Sequence, residues 1–516
     1  MTISFFRRYI FLLPFAAAGF LIVRYTTSGG MGLNPDSTDY IALAESLLKG
    51  NGFVYPSIPY TSSADFEPQS HFPPIYPLVL AAFGLAGIHP YAAARLVALL
   101  LFPGNILLTG AILYRFTQSR ILAALAAYFF LFAPDMIVIH TVAVPEPLFV
   151  FLTLFLVLFL ALYLESEKIA FLVAASIACS GAILCRYAGI PWLPTGVALL
   201  LVDSRFPRGQ RIRSTGIFLT LVLLLTSIWF ARNWMVAETM TNRSLSYHPI
   251  TVPQLLEGLR TAGRWFLPKL QYLEWKGVAV LAVLAGAVVL VFRKELEDQG
   301  LKGLLKISSL YAGAYVIFLL ISISFAAFGI PLDWRILSPA YALLLLFVIA
   351  AIPVISKSYI TNRWKKLSSS RLLKTASLML LIGYLAFFAR RGIIYSSLRP
   401  AQGYASTAWR NSPVLLAVRQ INPQVPIFTN GFDVIYFYTG RLSKSLPARP
   451  APANPAQWEQ EIHHFVSLAS KKGAIVIFFD NIPRDFLLSE KELIRTSGFE
   501  LVRSFPDGKM YQARPP

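Results

Sequence analysis

The chain has 516 residues, 56% of them hydrophobic and only 14% charged, with a formal net charge of +20. A soluble protein of this length has a larger polar exterior than such a composition supplies, so its principal solvent is lipid. The basic residues fall mainly in short loops between apolar runs, which is the positive-inside pattern and argues against nucleic acid as the partner.

Arg7 and Arg8 precede the apolar run Tyr9 to Val23, which reads as an uncleaved first span starting in the cytoplasm. A long first outer loop, 24–92, follows and opens on Asn34-Pro35-Asp36-Ser37-Thr38-Asp39-Tyr40. Asn34 suits an N-cap and Pro35 the first helical position, and acidic residues in a first turn complement the helix dipole. The same two carboxylates, Asp36 and Asp39, also suit chemistry at a water-facing surface. Tyr40, Leu43, Ala44, Leu47 and Leu48 share one helical face, and Gly50-Asn51-Gly52 supplies the stop. This helix is expected to lie in the membrane interface. The run from Pro74 to Ala86, entered through His71-Phe72-Pro73-Pro74-Ile75-Tyr76-Pro77, is short and reads as juxtamembrane or half-inserted.

Spans are expected at Ala93–Tyr114, Ile121–Ala133, Leu148–Leu164, Ile169–Leu184, Gly189–Val202 and Ile217–Ala231. A small outer loop between the second and third of these holds Asp135, His140 and Glu146. The loop from Arg205 to Arg213 is strongly basic and marks the cytoplasmic side. A second outer loop, 232–276, begins Arg232-Asn233-Trp234 and carries Arg260, Arg264, Trp265, Lys269 and Trp275. Four more spans follow, at 277–292, 305–328, 336–356 and 373–389, separated by the basic inner loops Arg293 to Lys306 and Lys357 to Lys374. The sum is about eleven crossings, which puts the C-terminus outside. Cys179 and Cys185 lie in or beside one apolar run, so no disulfide framework is indicated.

After Arg391 the composition turns polar, with short apolar runs at 425–428 and 474–479 flanking a helical pattern from Glu459 to Ala469. The expected fold class is an all-α polytopic membrane protein, residues 1–391, with a small extracytoplasmic α/β domain over 392–516. That domain has no Gly-rich phosphate loop and no Cys/His metal spacing.

Several short motifs carry a resemblance. These are the Asp of Asp36-Ser37-Thr38-Asp39-Tyr40, the Pro-Pro-x-Tyr-Pro entry at Pro73 to Pro77, and the acidic Pro145-Glu146-Pro147. The membrane part resembles the GT-C fold glycosyltransferases, in the branch of the protein O-mannosyltransferases and the lipid A aminoarabinose transferase. The resemblance implies an inverting transferase that takes a sugar from a polyprenyl-phosphate donor on the non-cytoplasmic face of the cell (inner) membrane. Asp36 matches the family's catalytic Asp. Relatives often carry Asp-Glu here, whereas Ser37 follows Asp36 and the second acid is Asp39. An Arg before a Leu-x-Pro entry is common in the family, and Arg335-Ile336-Leu337-Ser338-Pro339 matches it as the phosphate ligand.

A polyprenyl phosphate is a good leaving group, so the chemistry needs a base for the acceptor hydroxyl rather than a general acid, worth about 10²–10⁴-fold. The leaving phosphate needs fixed positive charge, and Arg186, Arg232 and Arg335 all stand at expected outer ends of spans. For each, headgroup anchoring is an equal rival. Glu146 suits acid–base or binding work but equally a helix start, while His71 and Tyr40 are candidates for substrate contact. Two carboxylates alone are sparse ligands for a hard cation, so the sequence requires neither metal nor cofactor. The expected partners are a polyprenyl-phosphate sugar, an acceptor glycan, lipid or protein, and membrane lipid. The competing class is a transporter or flippase without glycosyl transfer, or an inactive scaffold.

Overall fold

The computed structural model describes residues 7–514 apart from 57, 244–245, 267–274, 293–295, 297, 326–330, 360–370, 398–400, 450–453 and 497. Lys269 and parts of the two basic inner loops therefore lie outside the described residues. In chain order, α1 (Arg7–Thr26) leads to α2 (Pro35–Leu48) and a short antiparallel pair, β1 (Val54–Pro56) with β2 (Phe66–Pro68). There follow α3 (Ile75–Leu85), α4 (Pro90–Thr117), α5 (Arg120–Phe132), α6 (Pro134–Ile139), α7 (Glu146–Ser166), α8 (Ile169–Cys185) and α9 (Trp192–Val202). Next come α10 (Arg208–Ala237), α11 (Val252–Phe266), α12 (Trp275–Phe292), α13 (Gln299–Phe325), α14 (Trp334–Tyr359) and α15 (Arg371–Ser397). The remainder is α16 (Thr407–Arg410), α17 (Pro413–Val418), β3 (Ile427–Thr429), α18 (Phe432–Thr439), β4 (Lys444–Ser445), α19 (Pro455–Lys471), β5 (Ile475–Phe479), α20 (Glu490–Arg495), β6 (Phe499–Phe505) and β7 (Gly508–Ala513).

Among the described residues, seven helices are long and apolar enough to cross a membrane, and five more are apolar but only 10–17 residues long. The seven are α1, α4, α7, α10, α13, α14 and α15. The run after Pro74 forms the 11-residue α3, short of the span of a bilayer's hydrocarbon core. At 1.5 Å per residue the shorter helices cover only part of that core unless their flanks extend it.

The chain divides into two compact units. The first comprises Met1–Met31, Ser70–Leu80 and Tyr91–Pro400; the second comprises Gly32–Gln69, Ala81–Pro90 and Ala401–Pro516. In the first unit small residues let helices approach closely, as expected where lipid supplies no hydrophobic drive between them. A Cβ on Gly110 would stand 2.7 Å from Leu12, and one on Gly19 would stand 2.5 Å from Ile106. The polar groups in this interior pair internally. Asn105 on α4 is wholly buried and donates to the Pro147 carbonyl at 3.1 Å, with His140 Nε2 3.0 Å away. His140 Nδ1 lies 2.6 Å from the Met136 carbonyl, which only accepts, so Nδ1 carries the proton and Nε2 accepts from Asn105.

The second unit centres on a five-stranded sheet in the order β4-β3-β5-β7-β6. Strands β4, β3 and β5 run parallel, and β7 is antiparallel to both β5 and β6. The Ile475–Phe479 run is uniformly apolar because β5 is central and buried throughout. Phe465, Ala469, Phe428, Phe478 and Tyr511 build the core, and Tyr60 joins it from the first loop, donating to Glu461 at 2.5 Å. Backbone pairing also ties the loop in. Leu33 N–H donates to the Gln402 carbonyl at 3.0 Å, and Tyr404 N–H donates to the Leu33 carbonyl at 2.9 Å.

One expectation changes here. The spacing places α2 in the membrane interface, whereas Tyr40, Ile41, Leu43 and Ala44 on it are buried inside this unit. The helix packs on α18 and β1, so protein covers the face that the heptad-like spacing marks as apolar.

Candidate active site

The Pro145-Glu146-Pro147 sequence opens α7, with Glu146 as its first residue. Proline on either side fixes φ and suits a helix start, which sets Glu146 at the mouth of the helix rather than along it. The flanking carbonyls are held from two sides: Cys185 Sγ donates to Pro145 at 3.6 Å, and Asn105 donates to Pro147. The Glu146 side chain is only 1% exposed.

Arg186 and Arg335 reach this carboxylate from different helices. Arg186 follows the last residue of α8 in extended backbone, at φ −149°. Arg335 sits in the first turn of α14, where Asp333 Oδ1 accepts the N–H groups of Arg335 (3.0 Å) and Ile336 (3.1 Å). Arg186 Nη1 and Arg335 Nε both donate to Glu146 Oε1, while Oε2 is buried with no hydrogen-bond partner. Burying a charge is costly unless it is paired, and two guanidiniums around one carboxylate meet that need for Glu146. Each arginine side chain keeps 18% exposure, so the pair borders accessible space. Tyr315 donates to the Ile336 carbonyl at 2.8 Å and fixes the turn that carries Arg335.

Next to Arg186, Tyr187 forms a second node. Its hydroxyl donates to the Ser70 carbonyl at 2.9 Å and accepts from Trp229 Nε1 at 3.0 Å, with Asn233 Nδ2 at 3.5 Å. Arg232 lies over the Trp229 ring, 5.2 Å from its centroid, and donates to Asn233 Oδ1 at 3.0 Å. His71 follows Ser70, half-buried and edge-on to Phe72. An apolar cavity of about 640 Å³ begins one turn before Arg186, lined by Ile183, Ile190, Leu193, Val222, Phe230 and Trp234.

Asp36, Asp39 and Tyr40 belong to the second unit. The first turn of α2 is capped by a reciprocal pair: Asn34 Oδ1 accepts the Ser37 N–H at 2.8 Å, and the Ser37 hydroxyl accepts the Asn34 N–H at 3.2 Å. Capping is therefore carried by Asn34 and Ser37, which gives Ser37 a structural role at this position. Asp36 is half-buried and takes no part in that cap. Asp39, one turn on, accepts from the Tyr55 hydroxyl at 2.5 Å. Burial pushes the Asp39 carboxyl well above the usual range; the Tyr55 hydrogen bond opposes this, and the charges of Asp433 and Asp36 add to it. Tyr40 is buried on the same helix.

The first unit thus brings Glu146, Arg186 and Arg335 together, and sets Arg232 on the Tyr187 node instead. Asn105, Cys185, Asp333, Tyr187 and Asn233 are site residues to which the sequence alone assigns no role. A buried Asn inside an apolar run was the readable signal for Asn105. Among the described residues, no three His, Cys, Asp or Glu side chains stand close enough to hold a metal ion.

Residues 71–240 match the family described as dolichyl-phosphate-mannose-protein mannosyltransferase. The structure is similar to ArnT from Cupriavidus metallidurans bound to undecaprenyl phosphate, at 16% identity and TM-score 0.62, over 97% of each chain. The chain has the GT-C fold. It is also similar to the oligosaccharyltransferase AglB of Archaeoglobus fulgidus, in complex with an inhibitory peptide and a dolichol-phosphate, at 12% identity and TM-score 0.52, over 92% of this chain and 70% of that one. A third similar structure is the arabinofuranosyltransferase AftD from Mycobacteria, at 14% identity and TM-score 0.58, over 98% of this chain and 41% of that one. No curated protein sequence matches the chain. Within this GT-C chain the matched family segment contains His71, Glu146, Arg186 and Arg232, while Asp36 and Arg335 fall outside it.

Proposed function

We propose that this GT-C protein is an inverting glycosyltransferase that moves a sugar from a polyprenyl-phosphate donor to an acceptor hydroxyl. The observation that carries the reading is the convergence of Arg186 and Arg335 on one buried carboxylate oxygen, in a fold whose similar structures include one bound to undecaprenyl phosphate. Arg186 and Arg335 serve as the donor-phosphate ligands, since planar forks match phosphate oxygens bidentately. The apolar cavity beside Arg186 suits an isoprenoid chain. Glu146 holds the two forks in register before the donor binds.

Asp36 is the base. The acceptor oxygen forms its bond to the anomeric carbon as its proton passes to the Asp36 carboxylate. The bond from that carbon to the phosphate oxygen breaks, and the electron pair leaves with polyprenyl phosphate. Attack from the face opposite the leaving group inverts the configuration. His71, Tyr40 and Arg232 contribute substrate contacts, and Asp39 adjusts the surroundings of Asp36. The reaction takes place on the non-cytoplasmic face of the cell membrane, with about eleven crossings and the C-terminal region on that same side.

A flippase or transporter keeps its charged groups midway through spans. Here Glu146 and Arg335 stand in the first turns of their helices and Arg186 just beyond a helix end, which favours chemistry at a membrane face. The test is an assay in membranes carrying a radiolabelled polyprenyl-phosphate sugar. Label passing to an acceptor supports the transferase; donor crossing the bilayer with its sugar intact supports the flippase.

A further inference from the structure

The second unit contains a buried ion pair that the proposed reaction does not use. Asp433, in the first turn of α18, is 1% exposed at its side chain, and Arg484 is 11% exposed. Asp433 Oδ2 accepts from Arg484 Nη2 at 2.8 Å and from the Tyr404 hydroxyl at 3.0 Å, while Oδ1 is buried with no hydrogen-bond partner. Arg484 is fixed in turn: Nη1 donates to the Asn430 carbonyl at 2.7 Å, and the guanidinium lies 4.4 Å from the centre of the Phe432 ring. Asn430 is itself bolted to the sheet, accepting the Phe479 N–H at 2.8 Å and donating to the Phe479 carbonyl at 2.9 Å.

From this pair a continuous path runs to the helix that carries Asp36. Tyr404 is the joint. Its side chain bonds Asp433, and its backbone N–H bonds the carbonyl of Leu33, the residue before the Asn34 cap. Tyr438 on α18 donates to the Tyr404 carbonyl at 2.5 Å, and α18 packs along α2.

We propose that the Asp433–Arg484 pair of the C-terminal region is a positioning and charge-setting device for Asp39 on the Asp36 helix. Residues 401–516 are then part of the reacting unit rather than a separate acceptor module. The proposal rests on the reading of Asp36 as the base.

The titratable and charged groups facing Asp39 come from several elements packed around it. They are Tyr55 on β1, Tyr404 in the segment after residue 400, Asp433 on α18, Arg484 after β5, and Asp36 on its own helix. Farther along α2, Glu45 pairs with His89 at 3.2 Å and acts on Tyr436. Within this set the two members of the pair act on Asp39 in opposite senses: Asp433 favours its protonated form, and Arg484 favours its charged form. A purely structural pair behaves otherwise, since losing either partner breaks the same contact.

The test uses the full chain in detergent micelles. The infrared carboxyl band of Asp39, isolated as a difference against Asp39→Asn, is followed across pH. Asp433→Asn should move its midpoint to lower pH, and Arg484→Gln should move it to higher pH, each by about half a unit or more, within the spread that folded environments impose. Arg484→Lys keeps the charge and should stay near wild type. Asp433→Asn is nearly isosteric and Arg484→Lys keeps the charge, so the test stands even if Arg484→Gln fails to fold. Unmoved midpoints, or shifts in the same direction, overturn the proposal. The acid limb of kcat/KM for sugar transfer should follow the midpoints. Opposite midpoint shifts without any such transfer would leave the coupling standing and refute the reading of Asp36 instead.

Discussion

Arg186 and Arg335 meet on one oxygen of Glu146, although the first follows the end of α8 and the second opens α14. Two cations close together repel, and the buried carboxylate holds them at a fixed separation. In the proposed transfer, preorganised donors of this kind cost no rearrangement when charge arrives on the leaving group.

Glu146→Gln keeps the shape of the side chain but leaves the two guanidiniums without their shared anion. Breaking a buried pair from one side costs about 3–5 kcal/mol, so the melting temperature of the purified protein should fall. Polyprenyl phosphate should then raise it by more than it raises wild type, because a bound anion replaces the missing charge. An unchanged melting temperature would show that Glu146 is not the partner that holds the arginines.

Arg335→Lys retains charge but loses the planar fork. Donor affinity, read from titration of the detergent-solubilised protein with polyprenyl phosphate, should drop by about tenfold, equal to about 1.4 kcal/mol. If Arg335→Ala binds as wild type does, Arg335 serves only Glu146 and the phosphate role passes to Arg186.

Much of this is legible in the sequence alone, and the division has physical causes. Asn34 and Pro35 announced the start of α2 through local chemistry, and the arginines at span ends announced a polar face. That Glu146 unites Arg186 with Arg335 was not readable, since their positions lie far apart in the chain and the contact depends on how α7, α8 and α14 pack. The joining of the first loop to the C-terminal region was equally silent. It runs through backbone groups of Leu33, Gln402 and Tyr404, which leave no side-chain pattern, and through the Tyr60–Glu461 bond, whose partners lie far apart in the chain. The spacing of Tyr40, Leu43 and Ala44 told that one face of α2 is covered, but not that protein covers it.

Gly403 sits at φ +61°, and a Cβ there would stand 1.9 Å from the Leu33 carbonyl oxygen. Gly403→Ala therefore adds left-handed strain and a backbone clash, together on the order of 1–3 kcal/mol. Hydrogen exchange should quicken at Leu33 and Tyr404, and transfer should weaken while donor affinity holds. Unaltered exchange at both amides would mean that the pairing does not fix the entry to α2.

The raised Asp39 carboxyl gives stability a pH dependence of definite sign. The unfolded chain loses this proton near the ordinary Asp value, about 3.9, whereas the folded chain keeps it to higher pH. Between those two points the folded state binds more protons, so this contribution to stability is full below about pH 4 and is lost as pH rises through the folded value. Thermal unfolding of Asp39→Asn should show a flatter pH dependence than wild type over that window. A parallel dependence would place the proton elsewhere.

The most direct test of the central claim is sugar transfer by Asp36→Asn. The change is nearly isosteric and leaves the Asn34–Ser37 cap in place, but the amide cannot take a proton from an acceptor hydroxyl. Transfer from a polyprenyl-phosphate sugar in membranes should fall by about 10²-fold or more, with donor affinity and melting temperature held near wild type. Asp39→Asn should lose less. Transfer by Asp36→Asn within a few-fold of wild type would contradict the account and remove Asp36 from the reaction.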